Sequence, residues 1–283
     1  MPPLTKLRIY TMKEIIKKWY DILKFPKEYD SAFEKLLLET RLTPSTVDKY
    51  KSMNDYKTDL LMSLYFCEAT AKKAEKQGLP FDVLLNSLSD IVTLTKTYYR
   101  EHNTIGLPGY GWTTLAHRLY LHKLGRLEFM PSAGKMEVHI PRGEPFPPET
   151  CIESFKSSVE FFGKYYPDFI YDTYYTDSWL LDDTLAQFLN KDSNILNFAR
   201  LFEKSKKTES DDAIHFVFGS DAARENLSEY EIKNSFMQKL YDYVMNGGKL
   251  YRVYGEIKKE DIIGGKLEKR LIKKRRLVYE RNN

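Results

Sequence analysis

KMEVHIPRGEPFPPETCIESFKSSVEFFGKYY, residues 135–166, changes its period twice. KMEVHIP (135–141) alternates polar and apolar side chains, the two-residue period of a strand with one covered face. Met136, Val138 and Ile140 form the core side, and Glu137, His139 and Pro141 face the other way. RGEPFPPE (142–149) carries Pro145, Pro147 and Pro148 and cannot be a helix interior. Thr150 and Glu153 have the spacing of a capping box, which predicts a helix running to about Tyr166. The unit is therefore strand, loop and capped helix. Just upstream, RLEFMPS (126–132) alternates too, and Ala133-Gly134 between the two runs predicts a hairpin.

Downstream, DFIYDTYYTDSW (168–179) is aromatic and β-branched and reads as a strand. DDTLAQFL (182–189) reads as a short helix, residues 194–204 and AIHFVFGS (213–220) as further strands, and 226–246 as a long amphipathic helix closed by Gly247-Gly248. LYRVYGEI (250–257) is the last strand. Upstream of Gly125 the period is helical throughout. One helix starts near Met12, with Ile15, Ile16, Trp19, Ile22 and Leu23 on its stripe. Thr43-Pro44 has the form of an N-cap with proline at the first helical position. Residues 55–77 and 80–100 form two more helices, the first closed by Gly78, and a last one covers about 113–124. The fold class is α+β: an all-helical N-terminal domain, 1–125, then a mixed-sheet domain, 126–283, with a basic tail at 266–283.

The composition is ordinary for a folded chain of 283 residues, with 42% hydrophobic and 30% charged side chains, so wholesale disorder is excluded. Aromatics reach 14%, led by 21 Tyr and 16 Phe, which favours β-structure with wide apolar contacts. Two cysteines, Cys67 and Cys151, cannot make a disulfide scaffold or a four-thiolate zinc site. His117 and His122 are five apart, the wrong spacing for one helical face, so no metal site is expected. No apolar run is long enough to span a membrane, and MPPLTKLRIYTMKEIIKKWY lacks a signal-peptide core, so a cytoplasmic location is expected. The net charge of +4 is uneven: KLEKRLIKKRR (266–276) has seven basic residues and one acidic, +6, which leaves −2 for the rest. A basic end on a near-neutral body does not make a nucleic-acid-binding protein, and nucleic acid is not expected as a partner.

No GxSxG, HExxH, Walker A or GxGxxG pattern occurs, which argues against elbow-type serine hydrolases, gluzincins, P-loop NTPases and dinucleotide enzymes. What remains is the loop running into a helix N-terminus. Such a terminus presents unpaired amides and partial positive charge, an anion site in waiting. Arg142 and Gly143 stand at its mouth. Two readings stay open: a cradle for a phosphate or pyrophosphate, or a plain connection stiffened by proline. His139 could take a proton from an attacking amine, or be a satisfied structural residue. Trp179 could wall a ligand pocket or anchor the core. Asp90 reads as a buried carboxylate with an arginine partner, Arg118 or Arg126.

HIPRGEPFPPETCIESFKSSVEFFGKYYPDF (139–169), SWLLD (178–182) and DSNI (192–195) together resemble bacterial acyltransferase-domain proteins. These pair a helical N-acyltransferase N-terminal domain with a GNAT-like C-terminal domain. LSDI (88–91), Gly106-Leu107, Trp112, His117 and LGRLEF (124–129) extend the resemblance upstream, so it covers roughly residues 60–200. It implies a mixed, splayed sheet in which acyl-coenzyme A enters between two central strands, 135–141 and 168–177. Acyl-coenzyme A is the implied co-substrate, and a small-molecule or peptide amine the implied acceptor. Glu137 or His139 would be the base. Tyr174, Tyr175 or Ser178 would be the acid. Arg142, Gly143, Glu144, Thr150, Ser178 and Trp179 would bind the coenzyme. The loop departs from the family's Gln/Arg-x-x-Gly-x-Gly/Ala pattern, having one glycine and an acidic neighbour. The rival function is a non-catalytic GNAT-like module that binds a ligand or protein.

Overall fold

The computed structural model describes residues 11–42, 50 and 55–271. The Thr43-Pro44 cap and the tail beyond Leu271 lie outside the described residues. The chain divides into two compact units, one reaching Leu124 and including Pro141–Gly143, the other formed by Gly125–Ile140 and the chain from Glu144 onward.

The first unit is helical. α1 (Met12–Ile22) opens with a reciprocal cap: Glu14 N–H donates to Thr11 Oγ1 at 3.2 Å, and Thr11 N–H donates to Glu14 Oε2 at 2.7 Å. α2 (Asp30–Glu39) follows, then α3 (Tyr56–Lys76), against which α1 packs. The helix expected over 80–100 is two, α4 (Phe81–Leu88) and α5 (Asp90–His102). The ladder breaks at Ser89, whose hydroxyl turns back to the Asn86 carbonyl at 2.6 Å. α6 (Tyr110–His117) ends earlier than its apolar pattern suggested, and the short strand β1 (His122–Leu124) packs on α4. Asp90 is buried, as expected, but its partner is Trp112 Nε1 at 2.8 Å.

The second unit is built on β2 (Leu127–Ser132), β3 (Lys135–His139), β4 (Thr173–Ser178), β5 (Glu203–Glu209) and β6 (Tyr251–Lys258), ordered β2-β3-β4-β6-β5. The β2–β3 hairpin turns at Ala133-Gly134, both at positive φ (46° and 75°), with Ser132 facing Lys135. Two positive-φ residues in a two-residue loop match the right-handed twist of the strands. β3 and β4 are parallel, and the other pairs are antiparallel. α7 (Pro148–Tyr165) covers one face: Phe155 on the helix meets Phe129 on β2 and Tyr174 on β4 edge-on, at 5.7 and 5.4 Å between ring centroids. All three rings are fully buried, each worth about 1.5–3 kcal/mol of apolar burial.

Several elements differ from the sequence reading. Residues 194–204 and 213–220 were expected as strands. Instead α8 (Asn194–Ala199) starts at Ser193, whose hydroxyl accepts from Leu196 N–H, and α9 (Asp212–Phe218) buries Ala213 and Ile214. Between them β5, EKSKKTE, is a charged edge strand without apolar alternation. Residues 182–189 form 3-10 turns rather than a helix. The long helix over 226–246 shrinks to α10 (Ser235–Met245), capped by Asn234, whose side-chain oxygen accepts from Met237 N–H at 2.9 Å. α7 has no capping box. It starts at Pro148, and Thr150, already in its first turn, donates its hydroxyl to Pro147 O at 2.8 Å. A short α11 (Lys259–Ile263) follows β6.

Candidate active site

β3 alternates as its sequence requires. Met136 and Val138 are fully buried, and Glu137 and His139 are half-buried on the opposite face. The antiparallel register sets Glu128, itself buried, directly across from His139 on that face. The parallel register sets Tyr175 beside Glu137 and Tyr174 beside Met136. The ladder between β3 and β4 then stops, after the Glu137–Tyr175 pair. β3 runs on to His139, while β4 continues to Ser178 paired only with β6. Beyond that pair Val138-His139 and Thr176–Ser178 share no ladder pairing, a wedge in the pairing of the two parallel strands.

The polar face around this wedge is wired together. Tyr175 donates its hydroxyl to Glu137 Oε2 at 2.8 Å, and the same hydroxyl lies 3.0 Å from Ser132 Oγ. Glu137 Oε1 lies 3.6 Å from His139 Nε2. The Tyr175 ring stacks on Tyr254 at 5.4 Å. Lys135 Nζ donates to Tyr254 Oη at 3.1 Å and to Glu256 Oε1 at 2.5 Å. Burial, with the Glu137 carboxylate beside it, holds the Tyr175 phenol above its ordinary range, so it stays a donor. The Lys135 ammonium holds the Glu256 carboxyl below its usual range.

Tyr174 does not belong to this face. It is wholly buried under α7, hydrogen-bonded to Ser158 Oγ (2.8 Å) and Tyr171 Oη (2.9 Å), and burial drives its phenol far upward. An acid must reach the leaving group, so Tyr174, expected as an acid, has a core role instead. Tyr175, one residue on, has the right parity. Ser178 is a cap, its Oγ accepting from Leu180 N–H at 3.2 Å. Trp179 packs with Phe216 (6.0 Å between centroids) on an apolar cluster around Leu185, Ile214 and Leu240, so it is a core anchor.

The loop before α7 is held from inside. Arg126 donates from Nε to Pro145 O (3.0 Å) and from Nη2 to Glu144 O (2.7 Å), and its guanidinium lies 5.5 Å from the Phe146 ring. In the trans peptide after Pro145 the Phe146 N–H is thereby directed away from Arg126. Gly143 has φ +95°, a conformation that disfavours any side chain. Arg142 and Gly143 belong to the first unit, and Glu144, Thr150, Ser178 and Trp179 to the second. Glu144 and Thr150 do line a cleft of about 720 Å³ in the second unit, with Arg126, Glu149, Glu153 and Glu268. Four carboxylates around one engaged guanidinium make a poor seat for phosphates.

Residues 121–257 match the family model for the GNAT-like C-terminal domain. That match spans β2, β3, β4 and β5 and most of β6. Solved structures share the fold. One is an acyltransferase in complex with decanoyl-CoA and teicoplanin, at 20% identity, TM-score 0.74 and 91% coverage of both chains. A single-residue variant of an acyltransferase with octanoyl-CoA has 20% identity, TM-score 0.75 and the same coverage. An acyltransferase with CoA and 10C-teicoplanin has 21% identity, TM-score 0.74 and again 91% coverage of both chains. No curated protein sequence matches the chain. The α+β class and the GNAT-like sheet stand as read. No helix among the described residues is long and apolar enough to cross a membrane.

Proposed function

We propose that this chain is an acyl-coenzyme A-dependent N-acyltransferase whose acceptor is an amine. The observation that carries the reading is the parting of β3 and β4 beyond Glu137 and Tyr175, with a His–Glu pair on the open side. A slot between parallel strands admits a thin pantetheine arm. Strand amides there can hold the thioester oxygen as it gains charge. The amine nitrogen attacks the thioester carbonyl carbon, and its proton passes to the Glu137–His139 pair. The C–S bond then breaks, and the thiolate leaves and takes up a proton as free thiol. The net change is thioester plus amine to amide plus thiol. The neighbours' decanoyl and octanoyl thioesters make medium-chain acyl groups the first donors to try, and the glycopeptide in one complex makes a peptide-like amine the first acceptor. A cytoplasmic reaction, where coenzyme A thioesters are at hand, goes with this reading.

Calorimetric titration with decanoyl-CoA and a thiol-release assay over an amine panel test this together. Micromolar binding with amine-dependent thiol release is expected. Absence of heat up to about millimolar, the weak end of useful affinity, overturns it. A second reading is a non-catalytic GNAT-like binding module. It is favoured by the loop, where Pro145, Pro147 and Pro148 remove three amides that a phosphate could use. Tight coenzyme binding with no transfer to any amine supports that alternative.

A further inference from the structure

We propose that His139 is the catalytic base and that Glu137, fixed by Tyr175 and Ser132, is the positioning carboxylate that holds the imidazole. This deepens the transferase reading and rests on it. Position along β3 separates the two roles. Glu137 is the last residue of β3 paired with β4, at the closed end of the wedge. His139 is two residues further along, about 6–7 Å at the usual strand rise, where the strands have parted. A thioester entering between them meets His139 before Glu137.

Hydrogen bonding points the same way. One Glu137 oxygen accepts the Tyr175 hydroxyl at 2.8 Å, and the other faces His139 Nε2 at 3.6 Å. A carboxylate with one oxygen engaged by a phenol is a well-fixed counter-charge for an imidazolium. Tyr175 is itself immobilised, stacked on Tyr254 and within 3.0 Å of Ser132 Oγ. Tyr254 is pinned in turn by Lys135 and Glu256. The chain of contacts thus runs from β6 through β4 to β3 and ends at His139. On β2, β3, β4 and β6, four carboxylates share its face of the sheet: Glu137 on β3, Glu128 opposite on β2, Asp177 on β4, which is paired with Arg252, and Glu256 on β6, which is paired with Lys135. Glu137, the one within 3.6 Å, favours the protonated imidazole, which is the state that follows proton abstraction. Tyr175 is in this account a positioning residue, and its proton is committed to Glu137 rather than to the leaving thiolate.

The test joins histidine NMR with pH–rate profiles on the full chain. The ¹³C-labelled His139 resonance is identified by its loss in His139→Gln. In Glu137→Gln its titration midpoint should fall by about one pH unit, the effect of removing a close opposite charge. In Tyr175→Phe, which keeps the stacking, it should rise, since the carboxylate is less shared. kcat should fall about 10²–10⁴-fold in His139→Gln with loss of the acid limb, the usual contribution of a general base. In Glu137→Gln the limb should persist but move with the NMR midpoint, and Glu137→Asp should recover part of the rate. A limb that survives in His139→Gln and vanishes in Glu137→Gln overturns the assignment and makes Glu137 the base. An unchanged His139 midpoint in Glu137→Gln overturns the positioning role. A wild-type chain that transfers no acyl group overturns the transferase reading. Normal rates in all these variants overturn the base assignment alone.

Discussion

Replacing Tyr174 with Phe separates a core role from a catalytic one. Ser158 Oγ donates to Phe155 O at 2.6 Å, so its single proton is spent there. Tyr174 must then donate to Ser158 Oγ (2.8 Å), and Tyr171 must donate to Tyr174 (2.9 Å). The relay Tyr171, Tyr174, Ser158, Phe155 carbonyl lies wholly among buried residues. Tyr174→Phe keeps the ring that packs on Phe129 and Phe155 but cuts the relay in the middle, leaving the Tyr171 proton without its acceptor and Ser158 without a donor. An unmet buried polar group costs about 1–3 kcal/mol, so about 2 kcal/mol is expected in all. For a unit of this size that lowers Tm by about 4–8 °C. Urea unfolding should show a lower midpoint at unchanged slope. Amine-dependent thiol release, measured below the transition, should stay within about twofold, because the hydroxyl never reaches the wedge. An unaltered Tm with a hundredfold loss of kcat would refute the reasoning and restore Tyr174 as the acid.

Arg126→Met should free the Glu144 and Pro145 carbonyls from their clamp. About 2–4 kcal/mol of stability should go with these two charge-assisted bonds, read by urea unfolding, and the affinity for CoA should weaken in calorimetry. Gly143→Ala forces a side chain onto φ +95° and should cost about 1–2 kcal/mol, although the new Cβ meets nothing nearer than Thr93 Cγ2 at 3.9 Å. A stability change below about 0.3 kcal/mol would show that the loop relaxes freely. Burial pushes His117 and His122 down to about 4. The unfolded chain, titrating near 6.5, then binds more protons than the folded one between about pH 6.5 and 4. Stability should therefore be complete above pH 6.5 and fall as pH drops through that window, by up to about 2–3 kcal/mol per histidine. Urea midpoints from pH 7.5 to 4.5 check the sign, and a flat profile contradicts it.

The sheet domain was legible where the chain repeats a period against one covered face. KMEVHIP and RLEFMPS alternate, Ala133-Gly134 supplies the positive-φ turn, and LYRVYGEI falls within a residue of β6. Reading failed where burial was absent or two-sided. β5 has no apolar face to announce it, because an edge strand of lysine and glutamate is solvated on both sides. AIHFVF has strand-like residues but only Ala213 and Ile214 need covering, which a short helix does as well. Thr150 looked like a cap because the pattern S/T-x-x-E is local, whereas Pro148 had already started the helix. In the site, the shared face of Glu137 and His139 followed from parity on one strand. The choice between Tyr174 and Tyr175 did not, since two adjacent tyrosines point to opposite faces and only the pairing of β4 with β3 and β6 says which. The place of Glu128 opposite His139 needed the hairpin register, which alternation alone does not give.

A crystal structure of this chain grown with CoA addresses the central claim most directly. The account predicts the pantetheine threaded between β3 and β4, with the sulfur in contact, about 4 Å, with Val138-His139 on one side and Thr176–Ser178 on the other. Coenzyme bound elsewhere, with the β3–β4 wedge filled by the protein's own side chains, would contradict it.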